Sequence, residues 1–150
     1  SGTHWSDFEK RRQAAEANLN HARQIAASHG LDRGTLDALE SMTPEEREKF
    51  LENISNPDQR KAAAVFVSAL NEMDALEAER EMRQVRQALA YLNAIGVRVD
   101  PDRDSNIVEL IKTDIRRGMR PREAASDAAS ALGMQNLISQ IQQIQPSIYK

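Results

Sequence analysis

Residues 57–94 read PDQRKAAAVFVSALNEMDALEAEREMRQVRQALAYLNA, and the fold is decided by how this stretch is read. Past the opening Pro57 it contains no Gly or Pro. Most of its positions are Ala, Leu, Glu, Gln, Arg or Met, which lose little entropy in a helix. Asn56 is a good N-cap, Pro57 suits the first helical position, and Gln59 is spaced to reach back as in a capping box. Gly96 provides the left-handed residue that ends many helices. The stretch therefore reads as one long helix over about 57–94.

Its apolar residues make two seams rather than one stripe. Ala62, Phe66, Ala69, Met73 and Leu76 recur at steps of four and three, and Ala75, Ala78, Met82, Val85, Leu89 and Leu92 repeat that rhythm one residue out of phase. The changeover, 71–83, is the most charged part, with Glu72, Asp74, Glu77, Glu79, Arg80, Glu81 and Arg83. At about 1.5 Å per residue such a helix spans roughly 57 Å. A compact domain of this length has a radius of gyration of only about 15 Å. The helix must then overhang its core, break near Asp74 (where Asp74 and Glu77 would form a second capping box), or help build an oligomer. A continuous helix with a solvated middle is the preferred expectation.

Towards the N-terminus, Ser6-Asp7-Phe8-Glu9 is a capping-box signature with Trp5 placed as a hydrophobic staple. It predicts a helix from Asp7 to about Ser28, stopped by Gly30, with Phe8, Ala15, Leu19, Ala22, Ile25 and Ala26 on its apolar face. Two short helices follow, the first marked by Leu36, Leu39 and Met42. The second is opened by Thr43-Pro44-Glu45-Glu46, with Phe50, Leu51 and Ile54 facing inward. These short, capped helices look like the helix pairs of repeat proteins, but the unit occurs only about one and a half times, too few to define a repeat. Beyond the long helix, Val97–Arg103 reads as extended. A helix capped by Asp104 or Ser105 then runs to Arg117, with Ile107, Leu110, Ile111 and Ile115 inward and Gly118 as its stop. An Ala- and Ser-rich helix starts at Pro121 and ends at Leu132-Gly133. A last helix covers about 135–145, before Pro146, with Leu137, Ile138, Ile141 and Ile144 on one side. No segment alternates as a strand does. The fold class is all-α, an elongated bundle of five to seven helices organised around the long one. The expectation is a single domain over 1–150, with a possible sub-division near 96–104 that would set apart a small helical unit, 105–146.

Composition narrows the function. At 150 residues the chain can bury a real core, and with three Phe, two Tyr and one Trp that core must be mostly aliphatic. There is no Cys, which excludes disulfides and thiolate chemistry; this is compatible with a reducing, cytoplasmic compartment without assigning one. No apolar run approaches the ~20 residues that span a bilayer, and there is no signal peptide. The Ser1-Gly2 start reads as the remnant of a cleaved tag, and the chain as a piece of a longer protein. The net charge of −3 is weak, and residues 101–150 carry seven bases against six acids, so no strong field favours general nucleic-acid binding.

Three patterns carry possible chemistry. Asp100, Asp102 and Asp104, with Ile107 at the eighth place, resemble the first half of an EF-hand calcium loop. Ser105 stands where that loop needs Gly, and Ile111 where it needs the bidentate Glu. Acids at a helix N-terminus, favoured by the dipole, are the plainer explanation. Glu123 to Met134 looks like the first helix and turn of a helix-turn-helix DNA reader, with Ala129, Gly133 and Met134 in place. The following helix, 135–145, has no Lys or Arg, while DNA affinity rests on phosphate neutralisation. Arg116, Arg117, Arg120 and Arg122 put four guanidinium groups in seven residues, able to seat carboxylates or phosphates through bidentate bonds. His21 and His29 are poorly spaced for a shared metal, His4 lies at the terminus, and no HExxH, P-loop or GxSxG spacing occurs. The expectation is thus a non-enzymatic protein-interaction or scaffolding module, without catalytic, cofactor or metal residues. Its partner-binding residues would be Arg116, Arg117, Arg120 and Arg122, or its contacts would come from the acidic middle of the long helix. The alternatives are nucleic-acid binding through the C-terminal helices and self-assembly through the long helix.

Overall fold

The computed structural model describes residues 2–145, with side chains from Ser6 to Gln145. Among the described residues all regular structure is helical: α1 (Gly2–Ser28), α2 (Arg33–Ser41), α3 (Pro44–Glu52), α4 (Pro57–Ala94), α5 (Ser105–Arg116), α6 (Pro121–Ala131) and α7 (Ile138–Gln143), with one 3-10 turn at Gln135–Leu137. Among the described residues no helix is long and apolar enough to cross a membrane.

The stretch 57–94 is one unbroken helix. Asn56 accepts from the Gln59 amide at 2.9 Å, as an N-cap does. The Gln59 side chain does not close the capping box; it donates instead to the His29 carbonyl at 3.0 Å, satisfying the end of α1. There Gly30, at φ 95°, makes the left-handed turn, which lets the Leu31 amide return to the Ala26 carbonyl and buries the Leu31 side chain.

The chain divides into two compact units, residues 3–77 and residues from Ala78 onward. The dividing point falls inside α4, between Glu77 and Ala78. In the first unit the first seam is buried as expected at Ala62, Phe66, Ala69 and Leu76, and Ala63, Val67 and Leu70 widen it. Ala63, Phe66, Val67, Ala69 and Leu70 meet Ala22, Ala26, Leu31, Leu36, Leu39, Leu51 and Ile54, while Phe8 and Ala15 pack with Leu76. In the second unit the other seam is buried only from Val85 onward. Ala75 and Ala78 are exposed, as is Met82, because the core of this unit begins at Val85. Ala88 and Tyr91 join Val85 and Leu92 on the buried face, against Val97, Ile107, Ile111, Ile115, Ile141 and four alanines of α6.

Local capping sets most of the short helices. Asp32 accepts from the Thr35 amide at 2.8 Å, and Thr43 and Glu46 form both halves of a capping box; these bonds to the ionised form hold the Asp32 and Glu46 carboxyls below their usual range. Two termini depart from expectation. Helix α1 starts at Gly2 and runs through Ser6, since nothing between Thr3 and Trp5 resists helical backbone; the side chains of His4 and Trp5 lie outside the described residues. The last segment is not one helix over 135–145 but a 3-10 turn followed by the six residues of α7. Its Ile144 is already extended, at ψ 135°.

A buried cation ties the first unit together. Arg47 of α3 is 1% exposed. Its guanidinium donates to the Leu39 and Glu40 carbonyls at the end of α2, at 2.8 and 3.1 Å, to Asn71 Oδ1 at 2.7 Å, and to the Asp74 carboxylate. Asp74 therefore serves as an anchor for α3 rather than as the cap of a break in α4. Removing one partner from such a set leaves the others desolvated and unpaired, at a cost of about 3–5 kcal/mol. Arg47→Ala is accordingly expected to lose about 3 kcal/mol in urea denaturation. Arg47→Lys recovers little of this, because an ammonium lacks the planar fork that reaches three directions. Asp74→Asn costs far less, its carboxylate being 53% exposed.

Candidate functional site at the α5–α6 turn

The turn is built by backbone geometry. The Arg117 and Met119 amides both donate to the Asp114 carbonyl, at 3.1 and 3.0 Å, and Gly118 donates to Ile115 at 3.0 Å, a Schellman closure that needs the left-handed φ of 94° at Gly118. Arg120 follows in extended conformation as the N-cap of α6, and Pro121 opens that helix. Arg116, Arg117, Arg120 and Arg122 are thus brought to one turn, as their spacing implied, but their side chains are used differently.

Arg116 forms a bidentate pair with Glu81 of α4, at 2.8 and 3.1 Å, which raises its already high pKa further. Arg122 turns the other way. It lies 5.0 Å over the Tyr91 ring, contacts the Tyr91 hydroxyl at 3.3 Å, and donates to the carbonyls of Gln142 and, at 2.6 Å, Ile144. Arg122 therefore caps α7, whose own sequence supplies no side-chain cap. Arg117 and Arg120 stay exposed. The Arg120 side chain makes no hydrogen bond or ion pair among the described residues, and the Arg117 side chain acts only as a nearby positive charge on Asp114.

Asp114 is the feature that the sequence reading missed. It is 4% exposed, it sits on the same face of α5 as Ile107, Ile111 and Ile115, and its Oδ2 has no hydrogen-bond donor. Burial, together with the Asp127 carboxyl facing it from α6 within hydrogen-bonding reach, pushes its pKa up to about 6, against a smaller opposing pull from Arg117. The signal was present: position 114 is seven residues beyond Ile107, in the apolar register of the helix.

The remaining candidates are used locally. Asp100 Oδ1 accepts from the Asp102 and Arg103 amides at 2.9 and 3.1 Å. Asp104, the N-cap position of α5, turns its carboxylate back to the Asp100 amide at 2.9 Å and to Arg103. The bonds to their ionised forms hold both carboxyls below their usual range. This loop is an Asx turn rather than a converging ligand set, and among the described residues no group of three His, Asp or Glu side chains converges. Of the helix-turn-helix resemblance, α6 and the turn at Gly133 (φ 75°) are present, but α7 is shorter than the reading helix expected there. His29 bonds through Nδ1 to the Ile25 carbonyl of its own helix at 2.9 Å.

Comparison with protein-family models, with curated proteins and with solved structures finds no match to this chain.

The division of the cluster is measurable. Arg122→Ala removes the cap and the aromatic contact together, with an expected loss of about 1–3 kcal/mol. It should also give a selective rise in amide exchange over 134–145, and Arg122→Lys restores neither effect fully. Arg116→Ala, which breaks only a solvent-exposed pair, should leave the urea midpoint essentially unchanged.

Proposed function

We propose that this chain is a non-enzymatic protein-interaction module that receives an acidic segment of a partner at the α5–α6 turn, with Arg117 and Arg120 as the contacting residues. The observation that carries the reading is the division of labour within the cluster: Arg122 and Arg116 are occupied inside the unit, while Arg117 and Arg120 are presented to solvent on a turn fixed from both sides. Two guanidinium groups held on a rigid turn lose little backbone entropy on binding, so their charge-assisted bonds to carboxylates are realised with less offset. The absence of Cys and of nucleophile–base spacings in the sequence supports a binding role over catalysis.

The test is the double reversal Arg117→Glu with Arg120→Glu, which spares both structural arginines. Reversing all four would also uncap α7 and confound loss of binding with loss of structure. A protein captured from lysate by the wild type, in the presence of nuclease, is expected to bind the double variant at least tenfold more weakly by direct titration. That corresponds to about 1.4 kcal/mol, within the range of one lost charge-assisted bond. The melting temperature should stay unchanged. Material that is lost on nuclease treatment, with an affinity falling steeply with salt, would replace this reading by nucleic-acid binding. Undiminished binding by the double variant would move the contact away from the turn.

A further inference from the structure

The buried carboxyl of Asp114 has no task in the reading above. Nothing in the local helix calls for it: an apolar residue would complete the face formed by Ile107, Ile111 and Ile115. It also sits in the last turn of α5, where the helix dipole disfavours a negative charge. Its Oδ2 is enclosed without a donor, an arrangement that costs free energy unless a proton is added.

The neighbourhood shows where that proton would go. Asp127 faces Asp114 from α6 within hydrogen-bonding reach, and Arg117 of its own helix is the one cation acting on it; no charged group of α4 or α7 among the described residues does so. Arg116, next along α5, is engaged with Glu81. Around this pair α5 and α6 meet through the side chains of Ile111 and Ile115 and the alanines Ala124, Ala125, Ala128 and Ala129, all buried. Alanines add little side-chain contact of their own, so a repulsive pair of carboxylates here acts on a thin seam.

We infer that Asp114 and Asp127 form a proton-operated latch between α5 and α6: one shared proton holds the helices together, and its loss loosens them and the arginine turn that joins them. The inference is independent of what the turn binds. With one carboxyl protonated, the O–H donates to the other and the orphaned oxygen is satisfied. With both ionised, a charge on the buried Asp114 faces a like charge on the half-buried Asp127, as in other carboxylate pairs that share a site.

The sign follows from linkage. The closed latch holds a proton up to about pH 6, whereas an exposed Asp releases it near 4. The closed state is therefore most stable below about pH 4, loses stability as the pH rises to about 6, and stays at the lower level above that. From the plateau well below pH 4 to the plateau well above pH 6 the local opening constant should rise on the order of 100-fold, since two pKa units of difference correspond to two decades.

Native-state amide exchange on the intact chain tests this, with rates corrected for intrinsic pH dependence. The amides of Ala124, Ala125 and Ala128 are expected to open roughly 25-fold more readily at pH 7.5 than at pH 4.5, while Ala63 and Val67 of the first unit show no such change. Asp114→Asn, which keeps a donor towards Asp127 without a charge, should remain closed at both pH values. Asp127→Asn, which gives Asp114 an amide donor, should flatten the dependence as well. Carbon-detected titration of the wild-type Asp114 carboxyl should show a midpoint near 6, a readout that needs neither variant to fold. A midpoint near 4, pH-flat exchange in α6, or an equal change in both units would each overturn the latch.

Discussion

A helix of 38 residues without an interior Gly or Pro satisfies its own backbone, but it buries almost nothing by itself. Everything else in this protein is arranged around that constraint. Helix α4 feeds two separate cores, one around Phe66 and one around Val85 and Leu92. The segment between them buries only Leu76, against Phe8 and Ala15, and carries the highest density of charge. Its polar side chains are nonetheless employed. Asn71 and Asp74 receive Arg47 of α3 in one unit, and Glu81 receives Arg116 of α5 in the other. The solvated middle is thus where short helices of each unit are fastened to α4.

These fastenings show that residue type sets capability while surroundings set the role. Arg47, Arg116, Arg117, Arg120 and Arg122 carry the same planar fork of donors. Arg47 is enclosed and uses it on two other helices, α2 and α4; Arg122 stacks on Tyr91 and closes the end of α7; Arg116 makes an exposed pair of small net energy. Arg117 and Arg120 keep their donors for solvent or a partner. Aspartates divide in the same manner. Asp32, Asp100 and Asp104 accept backbone amides, which favours the ionised form, whereas Asp114 is enclosed against Asp127, which favours the protonated one. The site proposed for the α5–α6 turn and the latch beneath it both arise from that sorting.

Much of the architecture was legible in the chain. Gly30, Gly96, Gly118 and Gly133 stop helices where expected, all at positive φ, and Thr43 and Glu46 cap α3 as their spacing implied. The errors have identifiable causes. Ser6 and Glu9 have the spacing of a capping box but lie inside α1, because a cap signature starts a helix only where the preceding residues leave it. Ala75, Ala78 and Met82 continue a heptad-like rhythm yet are exposed, because periodicity records which residues share a face and not whether anything covers it. The 135–145 segment was too short and too weakly capped to hold a regular helix, so its ending depends on Arg122 from elsewhere in the chain.

By itself the sequence determined the order of the helices and most of their stops, since these rest on bonds between residues three to five apart. Only the tertiary structure decided which arginines stay exposed, where the two cores divide, and that Asp114 is enclosed opposite Asp127. Those outcomes rest on contacts such as Arg47 with Asp74, Arg116 with Glu81 and Arg122 with Ile144, separated by 27, 35 and 22 residues. No local propensity encodes such pairings. They form because burial of the apolar faces brings the elements together, and the polar groups caught at the seams must then find donors, acceptors or protons.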